Sequence, residues 1–176
     1  MSRIPLADVP SLNSVQRAQY ERFPSNLTRT VLLLDERLGA QLPATANALR
    51  ASDLDPAVRE AVILRVAALH DSAYERLQHL GQAHATGWTD SDIENIETGN
   101  YQDMSDGVAA VLTFVDALVA GDDVPDPVFA DARAVLSDRH VVTVIVLVGH
   151  YMTVARLTRV LRVELDDHPD NWTAEH

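Results

Sequence analysis

Apolar residues recur three and four positions apart along most of this chain, the spacing of one buried face of an α-helix. Leu27, Val31, Leu34, Leu38 and Leu42 predict an amphipathic helix over 26–42. Pro43 should end it, with a short helix over 44–51 beyond. Val108, Val111, Leu112, Val115, Leu118 and Val119 predict another helix over 105–120, closed by Gly121. Pro125 or Pro127 opens the next, through Leu136. The run 141–148 is β-branched and has the look of a strand. The apolar pattern continues through Val154, Leu157 and Leu161, and no second strand exists to pair with it, so it reads as a helix over 140–163.

The centre of the pattern is 55–87. Asp55 caps a helix with Pro56 in its first turn, where a missing N–H has no helical partner to lose. Val58, Val62, Leu64, Val66 and Leu69 go nearly all round this helix, which predicts burial. Ser72-Ala73-Tyr74-Glu75 opens a second helix as a capping box, and Gly87 stops it. Thr89 caps one more, to about Glu97. The remainder divides simply: an N-terminal arm over 1–25 containing a short helix at 14–23, one helical domain over 26–166, and an acidic tail over 167–176, with the chain expected to fray after Glu164. No internal repeat is evident.

A chain of 176 residues fits one domain and buries a core without staples. It has no cysteine, which excludes disulfides, thiolate metal sites, cysteine nucleophiles and dithiol redox cycles. All fourteen basic residues are arginine, so Schiff-base chemistry is excluded too. The net charge of −12 argues against nucleic acid as a partner. No signal peptide is expected, and the apolar run 141–149 is too short to span a bilayer. A cytoplasmic, cofactor-free protein is the expectation.

Candidate chemistry gathers on the central pair. Ser72, Glu75 and His79 are three and four residues apart and share one helix face. Glu60 approaches that face if the two helices pack antiparallel. Two carboxylates, a hydroxyl and an imidazole suffice for acid–base work. Plainer roles compete: Ser72 as an N-cap worth roughly 1 kcal/mol, Glu75 as the other half of the box, His79 as an ordinary surface or core histidine. Ser72 lies about two turns from His79, a poor distance for direct contact. Glu60 sits among Ala61, Val62 and Ile63, so it should be paired or shifted in pKa. Arg59 and Arg65 are near in sequence but off its face. His70 and His84 read as exposed or helix-end residues, and His150 as either a core histidine or a pocket residue. A metal site is the weakest option, because no HExxH pattern exists.

The string Glu60, Leu64-Arg65-Val66-Ala67, Tyr74-Glu75, His79, Ala83 and Gly87 resembles the carboxymuconolactone decarboxylase family, which includes alkylhydroperoxidase D. Ser72 and Glu75 stand where peroxidase members carry cysteines. The runs 147–151 and 163–166 also look like longer members, so the resemblance covers about residues 30 to 166. It implies an all-α, alkylhydroperoxidase D-like fold of about eight helices that assembles as a trimer or hexamer. It further implies Glu60 and His79 as catalytic residues, with Ser72, Tyr74, Glu75 and His150 binding substrate, a small and anionic molecule. Three functions follow: an acid–base lyase or isomerase acting on a small carboxylated or cyclic compound, a non-catalytic small-molecule binder, or a hydroperoxidase. The last lacks its thiols.

Overall fold

The computed structural model describes residues 1–121 and 123–167. Among these there are nine α-helices and no strand. They are α1 (Ser14–Arg22), α2 (Asn26–Val31), α3 (Glu36–Arg50), α4 (Pro56–Leu69), α5 (Ala73–Ala85), α6 (Asp90–Thr98), α7 (Asp106–Ala120), α8 (Asp126–Val135) and α9 (Asp138–Val160). The all-α expectation holds.

Helix α4 sits at the centre and packs against α5, α6, α7 and α9. Every residue from Glu60 to Ala67 is buried, as the all-round apolar pattern requires. On one side Val62, Ile63 and Val66 join Phe114, Val115, Val144, Leu147 and Tyr151. On the other, Ala61 and Leu64 join Ala83, Ile93, Ile96 and Leu112. Each fully buried aliphatic side chain contributes roughly 1.5–3 kcal/mol.

The α4–α5 turn fixes the site. Asp71 takes a left-handed backbone (φ 51°), a conformation aspartate tolerates better than most residues. The Asp71 N–H then donates to the Ala68 carbonyl (3.0 Å) and the Ser72 N–H to the Ala67 carbonyl (2.8 Å), a Schellman closure. This corrects the predicted capping box. The Ser72 hydroxyl does accept from the Glu75 N–H, at 3.4 Å. The Ser72 N–H is already committed to Ala67, so the Glu75 carboxylate does not reach back and points elsewhere.

Two further expectations are corrected. The chain breaks after Val31, not at Pro43, because Asp35 starts a new helix by accepting from the Arg37 N–H (3.0 Å). Pro43 lies inside α3. Its missing N–H would orphan the Gly39 carbonyl, and the Gln19 side-chain amide from α1 donates there at 3.1 Å. The start of the acidic stretch does not fray. Asp166 accepts from the Asn26 N–H (2.8 Å), the Gln78 amide (2.8 Å) and the Tyr74 hydroxyl. The rest of the predicted tail, from 168 on, lies outside the described residues. The N-terminal arm is likewise held, by Arg3 N–H to the Leu161 carbonyl (2.8 Å) and by the Arg29 guanidinium to the Ala7 carbonyl (2.9 Å).

Helix α9 is long and apolar enough, by length and composition, to cross a bilayer. Its Val141, Val144, Leu147, Val148, Tyr151 and Val154 are instead buried against the other helices, as in the core helix of a globular protein.

Candidate active site

Three side chains meet between α4 and α5. Glu60 Oε2 lies 2.8 Å from His79 Nδ1, and both residues are buried. Glu60 Oε1 accepts from Arg59 Nε at 3.0 Å. Arg59 was expected off this face; it is adjacent on the helix, but its long side chain wraps round to the carboxylate. Across the imidazole, His79 Nε2 faces Glu75 Oε2 at 3.9 Å, too far for a hydrogen bond. Glu75 is 3% exposed, and its Oε1 has no hydrogen-bond partner.

The two carboxyls are tuned in opposite directions. Burial alone would raise Glu60, but the hydrogen bond and charge of His79, followed by Arg59, hold it below the usual carboxylate range. Burial pushes Glu75 up to about 7, against the charge of His79. Glu60 is therefore the fixed anion that orients the imidazole through Nδ1–H. Glu75 is the group that gains and loses a proton near neutrality.

The other expected site residues divide. Ser72 is buried in its capping role, with its hydroxyl 3.5 Å from that of Thr158. Tyr74 points away from the imidazole. Its hydroxyl donates to Asp166 and accepts from the Leu27 N–H (3.0 Å), so it ties α5 to α2 and the C-terminal segment. His150 is half-buried, its ring 5.2 Å from that of Tyr151. Burial, then the charge of His79, lowers its proton affinity, which places it on the His79 side of α9.

Sequence reasoning missed two neighbours. Tyr151 is 8% exposed, and its ring stands edge-on to His79, centroids 5.0 Å apart at 84°. Arg50, at the end of α3, is near enough to Tyr151 and Glu60 for both to oppose the lowering of its proton affinity by burial. Both were hidden because neither lies on α4 or α5. The Arg59 guanidinium also donates to the Arg50 carbonyl (3.1 Å), joining α3 to the start of α4.

An open groove of about 430 Å³ lies elsewhere, between α3 and α9, lined by Ala44, Thr45, Ala48, Val142 and Val146 among others. It does not include Glu60, Glu75 or His79. No group of three or more metal-binding side chains occurs among the described residues.

No family model matches this sequence, and no curated protein does. Solved structures do. The chain is 15% identical to an alkylhydroperoxidase AhpD core, an uncharacterized peroxidase-related protein from Ralstonia eutropha JMP134, over 96% of this chain and 94% of that one, with a TM-score of 0.82. The chain has the AhpD-like fold. A protein of unknown function from Agrobacterium tumefaciens, proposed there to be an antioxidant defence protein AhpD, is 20% identical over 94% and 99%, TM-score 0.70. The debrominase Bmp8, in complex with 2,3,4-tribromopyrrole, is 11% identical over 96% and 92%, TM-score 0.72. The AhpD-like fold therefore carries catalysis in at least one neighbour.

Proposed function

We propose that the protein moves protons on a small molecule bearing carbonyl or carboxylate oxygens, as an acid–base isomerase or lyase. The observation that carries this reading is the line Glu60–His79–Glu75: an imidazole held by a carboxylate on one nitrogen and facing a near-neutral carboxylic acid on the other. His79 Nε2 takes a proton from the carbon beside a carbonyl. The C–H pair becomes the new C=C bond, and the C=O pair moves to oxygen. Glu60 stabilises the imidazolium that results. Glu75, protonated, gives its proton to the developing enolate oxygen, and both transfers then reverse at the same or a neighbouring carbon.

The ligand is small, nucleic acid is no partner, and self-association as a trimer or hexamer belongs to the same proposal. Exposed Val142, Ile145 and Val146 on α9 offer an apolar face for a second copy.

The burial of all three side chains favours a second reading, a non-catalytic binder that kept the fold. Proton exchange separates the two. In D₂O the protein should speed loss of the α-proton NMR signals of 4-oxopentanoate, and His79→Gln should abolish the effect. A rate equal to the protein-free control leaves only the binder.

A further inference from the structure

The geometry points to Tyr151 as the donor that recognises the substrate's carbonyl oxygen, a role that rests on the proton-transfer reading above. Helix α9 carries Tyr151 across the core to stand edge-on to His79, at 5.0 Å. The residue is 92% buried, as its 8% exposure shows. Buried phenols ordinarily place the O–H on an acceptor. This hydroxyl makes no hydrogen bond with any described residue, in contrast to Tyr74 and Tyr101, whose hydroxyls bond Asp166 and Asp116. The ring packs in an apolar cluster with Leu147 and Val148, where only the hydroxyl distinguishes it from a phenylalanine.

The surrounding charges determine what the hydroxyl can bind. Glu75 and Glu60 face it, as do Arg50 and Arg59. Burial first, then the two carboxyls, keeps the phenol protonated. It is therefore a neutral donor near a protonated Glu75, and both address an acceptor oxygen. A carbonyl compound meets that requirement and an ammonium compound does not. With His79 beside the ring, an oxygen held by Tyr151 leaves the adjacent carbon facing the imidazole. Tyr151 touches the substrate oxygen and so stabilises the enolate as negative charge develops there.

The test is a matched pair of probes, 4-oxopentanoate and pentanoate, which share a carboxylate and differ in the ketone. Wild-type protein should bind 4-oxopentanoate about tenfold more tightly, the value of one neutral hydrogen bond. Tyr151→Phe should remove that preference by weakening 4-oxopentanoate alone, with no fall in melting temperature. Four results would overturn the proposal: a variant that keeps the preference, a variant whose melting temperature drops (the hydroxyl would then be structural), a wild type with no preference, or wild-type exchange of the 4-oxopentanoate α-protons in Tyr151→Phe. That last result leaves the proton-transfer reading standing. Absence of exchange in the wild type overturns both.

Discussion

Glu75→Gln tests the buried acid through stability. An ordinary glutamate ionises near 4.5, and burial raises Glu75 to about 7. The folded state holds the proton where the unfolded chain has already lost it. Stability associated with this group is therefore full below 4.5, falls as pH rises toward about 7, and stays low above. The interval is 7 minus 4.5, or 2.5 pH units. At about 1.4 kcal/mol per unit this is about 3 kcal/mol. Glutamine has nearly the same shape and never ionises, so it escapes the penalty. Urea unfolding of both proteins, followed by circular dichroism from about pH 4 to about pH 8.5, gives the difference. The variant should gain on wild type by about 3 kcal/mol across that range. Acid loss of other carboxylates affects both proteins and cancels. A difference that changes by less than about 1 kcal/mol, or that changes with the opposite sign, refutes a raised Glu75.

The remaining predictions are more direct. From sequence alone, His79→Ala should weaken ligand binding and leave the melting temperature nearly unchanged; the 2.8 Å contact with buried Glu60 reverses the second half, and thermal unfolding should show a loss of about 3–5 kcal/mol. Asp166→Ala removes an acceptor shared by the Tyr74 hydroxyl, the Gln78 amide and the Asn26 N–H, so a destabilisation of about 1–3 kcal/mol and faster proteolysis of the C-terminal segment are expected. Peroxide consumption with a dithiol reductant should equal the protein-free control, because the chain contains no cysteine. Light scattering should report a trimer or hexamer, shifted toward monomer by Val146→Asp on the exposed face of α9.

The parts of the fold that could be read from sequence are the parts fixed locally. Asp55, Pro56, Ser72 and Gly87 delimit α4 and α5 through caps and turns spanning a few residues. The approach of Glu60 to the face of His79 was legible, because Ser72, Glu75 and His79 lie three and four residues apart on α5 and the turn from α4 is short. The errors came from partners distant in sequence. Nothing near Pro43 announces that Gln19 will serve the Gly39 carbonyl. Nothing in an acidic terminus announces that Asp166 bonds Tyr74, 92 positions away. The capping box failed because Asp71 adopts a left-handed turn that consumes the Ser72 N–H first. Tyr151 follows a β-branched apolar run on the same helix, where a phenol reads as one more core residue.

The central claim is that two buried carboxyls flank one imidazole and hold opposite proton affinities. Selective ¹³C labelling of glutamate, with NMR titration of the carboxyl carbons assigned through Glu60→Gln and Glu75→Gln, measures both in one protein. The expected result is Glu60 titrating below 4.5 and Glu75 near 7. Glu75 titrating at or below 4.5, with Glu60 above it, would contradict the assignment of the fixed anion and the proton donor.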